Sequence, residues 1–528
     1  MKSMFRLAAV ALASLFVCLL LTTGSASADA AGDALLAKHR AFVGWQEGDG
    51  TFTSWRIVRE GQRKNGEQTS TVTIAEVRRS AVYRETVTAS GSRLTTDSGF
   101  TGRVFWDGDY NGNVVTLFDD DARLALDEDA VFDEATTAFP GTLRGSAKIG
   151  DVSVSIVRVQ PGGGFPIDLY VDASGAYHRA VINPGKDGAE TLNIDGYYSA
   201  PGGKKVVGTI RYESGTSYNV TSFQPNAPVS DAELHPPQPR QHWDFNSQEA
   251  VPLTVAVRDG GGREVQIRAS IDGHEGTFLI DTGASGTVLY RPFINDLNLE
   301  KAGDSSYTGV NGKTVKSTLA RVKTLQIGKN VLHDTIVELS DQSFGSNVDG
   351  ILGYNVYANA LVDVDLNGRT LTISDPAKFG PAIAKGAYAF DVNLSSRQPG
   401  IRASVSGVEF KPVFDTGDDF LVIASEGLRS GGRLVTLPDE MNLGQSGVKI
   451  ENRITFSGVD GSGETSAPCS RVNQMAIGPY RYESALVCFG RTNAFGVDGG
   501  LIGFDFLRHF NWTLDYPDGK FVLMPNGA

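Results

Sequence analysis

Residues 277–285 read TFLIDTGAS, and residues 411–419 read KPVFDTGDD. In both stretches an apolar run leads to an aspartate, and a glycine that can turn the chain follows two residues later. A single Asp-Thr-Gly in a chain of 528 residues is unremarkable, because a turn after a strand accounts for it. The residues around the two copies decide whether they belong to one repeat.

Both copies lie inside an internal repeat. The matched segments are IRAS at 267–270 and 401–404, YTGVNG at 307–312 and FSGVDG at 456–461, and GILG at 350–353 and GLIG at 500–503. Each IRAS begins 14 residues before its aspartate, and Asp365 and Asp515 each follow the last glycine of their half by 12 residues. The matched spacing indicates that Asp281 and Asp415 occupy equivalent places in two halves.

Length and composition favour a mostly β protein with several domains. At roughly 100 to 200 residues per domain, the chain has room for two to four domains, and its many glycines favour short strands and tight turns. We predict an antiparallel β-rich domain over 29–224 with one helix over 29–48, then a linker over 225–250 that contains five prolines. The repeat predicts two β-lobes, 251–376 and 387–526.

The alternation of strands and turns over 51–223 is loosely similar to the half-barrel of lipoprotein-sorting and related lipid-carrier domains. The segments that carry this resemblance are GFTG at 99–102 and VFW at 104–106. A resemblance of arrangement does not identify a function. The acidic run at 119–121 lacks the spaced ligands of a calcium loop, so we predict a solvated acidic turn there.

The first 28 residues have the pattern of a signal peptide. Lys2 and Arg6 precede an apolar run over 7–21, and ASA at 26–28 fits a cleavage site. The alternative is an uncleaved membrane anchor. No later stretch of the sequence is long and apolar enough to span a bilayer. We therefore predict an exported protein, periplasmic or secreted, without a transmembrane segment after signal cleavage.

The predicted mature chain is acidic. The formal net charge is −13, and removal of the two signal-peptide cations lowers it to −15. This balance argues against long-range attraction to nucleic acid or to an anionic membrane.

Two cysteines follow the predicted signal peptide, Cys469 and Cys488. Gly478-Pro479 lies midway between them, so a tight hairpin places the two cysteines opposite each other on antiparallel strands. Opposed strand residues are within disulfide reach, and an exported protein meets oxidising conditions. We predict a disulfide, and a strict two-residue turn would make this the wider, hydrogen-bonded kind of pair. Two buried free thiols are the alternative.

The repeated Asp-Thr-Gly and apolar-apolar-Gly segments resemble those of the aspartic peptidases of the pepsin and retropepsin group. The resemblance covers the C-terminal half of the chain and implies two β-lobes, each of which brings one Asp-Thr-Gly loop to a central cleft. It implies that Asp281 and Asp415 form a catalytic dyad. The residues that would support this dyad are Thr282, Gly283, Thr416, Gly417 and Asp418.

Paired carboxylates suit the chemistry of peptide hydrolysis. Two carboxylates about 3 Å apart cannot both ionise without strong repulsion, so they share one proton. The ionised member can take a proton from water, while the protonated member polarises the carbonyl of a peptide bond. The resemblance thus implies an aspartic endopeptidase that acts on polypeptides, needs no cofactor or metal, and has its active site complete within one chain.

The family closes its cleft with a β-hairpin flap, and each half of this chain has a candidate. The candidate flap and substrate-binding residues are Tyr307, Gly309, Val310, Phe456 and Gly458. A candidate in each half is more similar to a fused retropepsin dimer than to pepsin, which has one dominant flap. The alternative for Tyr307 is a strand residue packed on its own sheet.

One position departs from the family pattern. Ala284 conforms to the Ser, Thr or Ala that usually follows the glycine, whereas Asp418 does not. A third carboxylate near the dyad would disfavour ionisation of Asp415 and raise the apparent pKa of the pair. Asp418 therefore either shifts activity toward weakly acidic or neutral pH, points away from the dyad, or weakens the site.

The alternative function is non-catalytic. It is either a pseudo-peptidase that binds peptide without cutting it, or a protein that acts on a lipid or envelope component through its N-terminal domain. The sequence contains no serine-peptidase elbow and no zinc-peptidase motif. His235 and His242 lie in the predicted linker, but no neighbouring residues complete a metal site there.

Overall fold

The computed structural model is mostly β, as predicted, with few helices, and one of these lies at the N-terminal end of the described chain. The described residues are 29–65, 68–186, 188–257, 262–308, 314–341, 347–381, 383–405, 408–424, 429–430, 433–434, 451–456, 465–490 and 499–527. The predicted signal peptide over 1–28 lies outside these ranges and remains a prediction.

The α-helices are α1 (Ala30–Val43), α2 (Asp119–Phe132), α3 (Asp231–Leu234), α4 (Tyr354–Tyr357) and α5 (Phe504–Leu507), with 3-10 turns at Ala135–Ala138, Pro201–Gly203 and Phe293–Asp296. The strands before residue 226 are β1 (Ser54–Asn65), β2 (Gln68–Arg79), β3 (Val82–Ala89), β4 (Thr95–Phe100), β5 (Phe105–Gly108), β6 (Val114–Thr116), β7 (Thr142–Ile149), β8 (Val152–Val159), β9 (Ile167–Asp172), β10 (Tyr177–Ile182), β11 (Glu190–Ala200), β12 (Lys204–Tyr212) and β13 (Ser217–Pro225).

The later strands, up to the start of the second half of the repeat, are β14 (His242–Asp244), β15 (Val251–Val257), β16 (Arg263–Ile271), β17 (His274–Ile280), β18 (Val288–Tyr290), β19 (Glu300–Thr308), β20 (Thr314–Ile327), β21 (Asn330–Ser340), β22 (Gly350–Leu352), β23 (Leu361–Asp365), β24 (Thr370–Ser374) and β25 (Tyr388–Asp391). The remaining strands are β26 (Ala403–Val405), β27 (Val408–Phe410), β28 (Val413–Phe414), β29 (Leu421–Ala424), β30 (Arg429–Ser430), β31 (Arg433–Leu434), β32 (Asn452–Phe456), β33 (Thr465–Ile477), β34 (Tyr480–Gly490), β35 (Gly500–Ile502), β36 (Phe510–Asp515) and β37 (Lys520–Pro525).

The chain divides into two compact units. Unit 1 comprises Met1–Gly61 and Ala122–Pro228, and unit 2 comprises Gln62–Asp121 and Val229–Ala528. Residues 62–121 thus group with the C-terminal part of the chain, whereas the sequence places them in the N-terminal domain. The predicted domain boundaries remain predictions.

Unit 1 contains an antiparallel sheet with the strand order β1-β13-β12-β11-β10-β9-β8-β7. Helix α1 begins after Asp29, whose carboxylate accepts a hydrogen bond from the N–H of Gly32 at 2.5 Å, and it ends at Gly44, which has a positive φ. Leu36 of this helix belongs to the same buried apolar cluster as Val157 and Leu169 of the sheet. The predicted N-terminal helix is therefore confirmed, over a shorter span.

The acidic run at 119–121 corrects one prediction. It does not form a turn but begins helix α2. Carboxylates are favourable in the first turn of a helix, because the N–H groups there carry partial positive charge. Within unit 2, Asp119 lies 2.9 Å from Arg402, and Asp120 lies 3.4 Å from Lys411, so these carboxylates also form ion pairs.

The segment predicted as a linker contains regular structure. Helix α3 begins with a capping box, in which Ser230 and Glu233 bond to each other's backbone N–H groups. It ends just before His235, and Pro236 then disfavours continuation. Strand β14 pairs with β21. Residues 225–250 therefore contain two short regular elements, and their role as a linker remains a prediction.

Unit 2 repeats one pattern of strand pairing. In the first half β17 pairs in parallel with β22, where Phe278 lies opposite Gly350. In the second half β28 pairs in parallel with β35, where Val413 lies opposite Leu501. The hairpins β20–β21 and β33–β34 correspond, as do β23–β24 and β36–β37. Strand β23 also pairs with β36, which joins the halves in one sheet.

One buried apolar cluster extends through both halves of the repeat. It includes Phe278 and Leu352 from the first half and Phe414 and Ile502 from the second. Phe414 directly precedes Asp415, and Phe278 lies three residues before Asp281. Leu352 and Ile502 accept the backbone N–H groups of these two aspartates. The two loops therefore stand on a common core, which fixes their relative position.

Candidate active site

Asp281 follows β17 and Asp415 follows β28, and the last residues of both strands are buried. The N–H of Asp281 donates to the carbonyl of Leu352 at 3.1 Å, and the N–H of Asp415 donates to the carbonyl of Ile502 at 3.0 Å. Leu352 and Ile502 end the parallel partner strands β22 and β35. The apolar-apolar-Gly segment of each half therefore fixes where its aspartate leaves the sheet.

Gly283 and Gly417 allow the two loops to meet. A Cβ atom on Gly283 would lie 2.4 Å from Cγ of Asp415, and one on Gly417 would lie 2.6 Å from Cγ of Asp281. Cβ atoms essentially never approach other heavy atoms within 3.0 Å, so each loop needs a glycine to contact the opposite carboxyl group. Each glycine also donates its N–H to Oδ1 of the aspartate in its own loop, at 2.8 Å in the first and 2.9 Å in the second.

Thr282 and Thr416 join the loops by reciprocal hydrogen bonds. The Thr282 hydroxyl donates to the carbonyl of Phe414 at 2.7 Å and accepts the N–H of Thr416 at 3.1 Å. The Thr416 hydroxyl donates to the carbonyl of Ile280 at 2.7 Å and accepts the N–H of Thr282 at 3.1 Å. Both threonines are buried. Loss of either hydroxyl would leave buried backbone groups unpaired.

The two carboxyl groups interact electrostatically. Asp281 and Asp415 are buried, with 9% and 6% of their surfaces exposed. The pKa of Asp281 lies well above its usual range, first because burial disfavours the charged form, and then because of the charge of Asp415 and a hydrogen bond with its side chain. The N–H of Gly283 acts in the opposite direction. Such a pair titrates as a unit and retains one proton between its two steps.

The last glycine of each repeat lets the Asp-Thr-Gly loop pack on its neighbour. A Cβ atom on Gly353 would lie 2.2 Å from the carbonyl oxygen of Gly286. One on Gly503 would lie 2.4 Å from the carbonyl oxygen of Phe420. These distances exclude any side chain, which explains why the matched segments GILG and GLIG both end in glycine.

Asp418 occupies the place of Ala284 in the second loop. The carbonyl of Ala284 accepts the N–H of Tyr354 at 3.0 Å, and the carbonyl of Asp418 accepts the N–H of Phe504 at 2.7 Å. The backbone therefore has the same role at both positions. The Asp418 side chain is partly buried, and its Oδ1 accepts the N–H of Asp419 at 2.9 Å.

Gln398 is a contact of the site that the sequence does not predict. Its side-chain N–H donates to the carbonyl of Gly283, two residues after Asp281. The preceding Arg397 forms an ion pair with Asp107 at 2.5 Å, which ties this segment to β5. The two aspartates of the dyad are 134 residues apart, and the same offset from Gln398 leads to Glu264. The repeat therefore carries no signal that would mark Gln398.

Three buried tyrosines near the loops are also absent from the predicted site. The ring of Tyr516 lies 5.8 Å from that of Tyr354 and 6.3 Å from that of Tyr357. The Tyr357 hydroxyl donates at 2.5 Å to the carbonyl of Leu352, which also accepts the N–H of Asp281. The pKa of Tyr357 and of Tyr516 is raised, chiefly by burial. These phenols therefore stay neutral and serve as packing groups.

The predicted flap residues are described only in part. Strands β19 and β20 pair up to Tyr307 opposite Val315 and one residue beyond, and β32 and β33 pair up to Phe456 opposite Thr465. The residues outside the described ranges are Gly309, Val310 and Gly458. Each half thus has the two strands that a flap hairpin requires. Contact of Tyr307 or Phe456 with substrate remains a prediction.

Cys469 and Cys488 form the predicted disulfide. They lie opposite each other on β33 and β34, and the ladder closes at Ile477 opposite Tyr480, which leaves a two-residue turn. Their Cα atoms are 3.9 Å apart. This Cα–Cα distance is shorter than the value of about 5.5 Å for the hydrogen-bonded pair that the hairpin register predicts.

No helix among the described residues combines the length and the apolar character needed to cross a bilayer. This finding concerns residues 29–527 with their gaps, and the predicted signal peptide is outside that range.

Comparisons with known proteins point to the first half of the repeat. The family model described as aspartyl protease matches residues 267–356, which include Asp281 and the GILG segment. A DUF1329 family protein from Desulfovibrio piger is 13% identical, with a TM-score of 0.31, and the match covers 39% of this chain and 96% of that one. An outer membrane lipoprotein-sorting protein domain from Vibrio parahaemolyticus is 10% identical, with a TM-score of 0.28 and the same two coverages. The curated proteins contain no match. The chain thus contains an aspartyl-protease-like region.

Proposed function

We propose that the protein is an exported aspartic endopeptidase, periplasmic or secreted, whose dyad is Asp281 and Asp415. The observation that carries this proposal is the reciprocal contact of the two Asp-Thr-Gly loops. Each glycine lies against the opposite carboxyl group, and each threonine bonds across to the other loop. A turn that merely ends a strand requires neither contact. The family match at 267–356 supports the same class of enzyme.

The chemistry follows from the shared proton. With one carboxyl group protonated and one ionised, the ionised group can accept a proton from a water molecule as that water attacks the peptide carbonyl. The protonated group donates a hydrogen bond to the carbonyl oxygen, where negative charge develops. The N–H groups of Gly283 and Gly417 hold Oδ1 of each aspartate in place, so the reacting oxygens need little reorganisation.

We further propose that residues 251–376 and 387–526 are two fused retropepsin-like lobes. The matched strand pairings of the two halves support this, as does the pairing of β23 with β36 between them. Because one chain supplies both aspartates, the proposed site is complete without a second copy. Polypeptide would lie across both loops, beneath the hairpins that begin with β19–β20 and β32–β33.

The test is cleavage of an unfolded protein substrate between pH 3 and 8, with and without pepstatin. Asp281→Asn and Asp415→Asn each remove one titrating carboxyl group with little change of shape. We expect each to lower the cleavage rate about 100- to 10,000-fold, the range for loss of a general acid or base. Asp296→Asn is the matched control, because Asp296 is exposed and belongs to neither Asp-Thr-Gly loop.

The non-catalytic alternative makes a different prediction for the same samples. A pseudo-peptidase would bind an unfolded substrate without cutting it, and the asparagine variants would behave like the parent. Equal cleavage by the parent and both variants would remove the dyad from the mechanism. If the protein instead acts only through its N-terminal domain on a lipid or envelope component, neither the parent nor the asparagine variants would cleave the substrate.

A further inference from the structure

Two histidines and one aspartate converge on strands β14 and β21 of unit 2. In the antiparallel pairing His242 lies opposite His333, and Asp244 is two residues further along β14. Opposed residues lie on one face of a sheet, and residues two apart on a strand share a face. The strand register therefore gathers three metal-ligating side chains on one surface, although 91 residues separate His242 from His333 in the sequence.

The three side chains are close enough to share one ion. The imidazole rings of His242 and His333 are stacked with centroids 4.9 Å apart. Nε2 of His333 lies 2.9 Å from Oδ2 of Asp244, and one ligand atom from each of the three side chains lies within 4.8 Å of the others. Ligands about 2.1 Å from a tetrahedral zinc ion are about 3.4 Å apart. Small side-chain rotations would therefore suffice.

The opposite face of β14 holds this surface in place. Gln241 is buried, donates to the carbonyl of Asn355 at 2.5 Å and accepts the hydroxyl of Thr335 at 2.8 Å. The indole N–H of Trp243 donates to the carbonyl of Val356 at 3.2 Å. These anchors alternate with His242 and Asp244 along the strand, so the ligands stand on a fixed backbone and face outward. Binding of an ion therefore requires no ordering of the backbone.

From this arrangement we propose that His242, Asp244 and His333 bind a divalent transition metal ion such as Zn²⁺. Two imidazoles and one carboxylate suit zinc, copper or nickel, whereas magnesium and calcium prefer oxygen ligands alone. Three protein ligands leave one position for water, and all three side chains are partly or fully accessible to solvent. The site shares no residue with the dyad and goes beyond the proposed function. It replaces the expectation that the chain has no metal site.

Calorimetry on the full chain, freed of metal by a chelator, tests the proposal. We expect the chain to bind one equivalent of ZnCl₂ at pH 7.5 and to show no heat with MgCl₂. His242→Ala and His333→Ala should each weaken zinc binding at least about tenfold, as loss of a ligand does. His274→Ala is the matched control, because His274 is an exposed histidine on β17 outside the cluster, and it should bind as the parent does.

Two further measurements identify the ligands. Zinc binding should weaken at pH 5, because protonated imidazole cannot bind metal. Electron paramagnetic resonance of the Cu²⁺-loaded chain should show two coupled nitrogens, and one after His333→Ala. Absence of saturable zinc binding by the parent would overturn the proposal, as would parent-like affinity in both histidine variants. Zinc binding lost in Asp281→Asn but kept in His333→Ala would place the ion at the dyad and equally overturn it.

Discussion

The half of unit 2 around Asp281 and the half around Asp415 hold their aspartates with the same hydrogen bonds but surround them with different side chains. In both halves the aspartate N–H bonds to the apolar-apolar-Gly strand, and the threonine hydroxyl bonds to the opposite loop. Beyond the glycine, however, the first loop has Ala284 and the second has Asp418. Backbone geometry is thus duplicated, whereas local charge is not. Different roles for the two carboxyl groups would therefore arise from neighbouring side chains.

A second difference lies in the corresponding hairpins β20–β21 and β33–β34. The final glycines of the two halves are 150 residues apart, and the same offset relates Leu319 to Cys469 and Glu338 to Cys488. Leu319 lies opposite Glu338, as Cys469 lies opposite Cys488. The second half thus has a covalent link where the first has an apolar residue opposite a carboxyl group. Burial raises the pKa of Glu338, and its Oε2 accepts the hydroxyl of Ser317 at 2.6 Å.

The largest predicted effect tests the part that the halves share. Gly283→Ala and Gly417→Ala each add a methyl group that would overlap the carboxyl group of the opposite loop. The two Asp-Thr-Gly loops must therefore move apart. We expect each variant to lose about 100-fold or more of the peptidase rate, as a displacement of about 1 Å from reacting geometry does. Initial rates of cleavage, with near-UV circular dichroism to confirm folding, measure the effect.

Gly286→Ala is the control for the glycine variants, because a Cβ atom there meets no heavy atom within 4 Å. It should retain the parent rate within about twofold. Full activity in either Gly283→Ala or Gly417→Ala would show that the opposed carboxyl groups are not the reacting pair.

The sequence predicts the features of the site that depend on short segments and their repetition. The dyad, its threonines and its glycines lie within tripeptides, and the disulfide depends on one hairpin turn. Gln398 was not predictable, because its contact with Gly283 depends on long-range packing that the repeat does not encode. Neither was the pairing of His242 with His333, since a short strand gives no signal of its distant partner.

The error at 119–121 has a physical reason. Acidic residues are favourable both in solvated turns and in the first turn of a helix, so the composition of 119–121 fits either structure. Prolines likewise occur both in linkers and at the ends of short elements, so the linker over 225–250 stays a prediction. At 119–121 tertiary contacts favour the helix, such as the ion pair of Asp119 with Arg402.

The second prediction concerns a variant in which hairpin β20–β21 receives the pair of cysteines that hairpin β33–β34 has. Leu319→Cys combined with Glu338→Cys should form a disulfide in air, because these positions have the register of Cys469 and Cys488. The oxidised variant should be more stable than its reduced form by about 3 kcal/mol, the value for a loop of this length. Thiol titration and denaturant unfolding measure the two results.

Leu319→Ala combined with Glu338→Ala serves as the control for the cysteine pair, since it removes the same side chains without a possible link. A cysteine variant whose thiols remain reactive in air would show that the hairpins differ in strand separation despite their equal register.

The third prediction concerns the threonines. Thr282→Val and Thr416→Val keep the shape of the side chain but leave a buried N–H and a buried carbonyl unpaired. Each should lower the free energy of unfolding by about 1 to 3 kcal/mol. Because the hydrogen bonds are reciprocal, the double variant should lose less than the sum of the two.

Thr282→Ser and Thr416→Ser retain the hydroxyl and should recover most of the lost stability. Denaturant midpoints for the single, double and serine variants test this. Additive losses in the double variant would mean that the two loops are held independently.

The smallest predicted effect concerns the charge that distinguishes the halves. Asp418→Ala gives the second loop the side chain of Ala284, and Ala284→Asp gives the first loop the charge of the second. In the proposed mechanism activity requires one proton on the dyad, so it falls as pH rises through the upper pKa of the pair. That pKa is raised for Asp281 by burial and by Asp415. A nearby anion raises it further, because it opposes a second negative charge.

Asp418→Ala should therefore move the alkaline limb of the pH–rate profile to lower pH, and Ala284→Asp should move it to higher pH. Each shift should be less than about 1 unit, because the added charge is partly exposed to solvent. Profiles of kcat/KM for both variants and for the matched control Asp296→Asn measure these shifts. Movement in the same direction for both variants would indicate a change of loop structure. An unchanged limb in Asp418→Ala would mean that Asp418 is too distant to act on the dyad, and the asymmetry of the two carboxyl groups would then have to come from the hairpins.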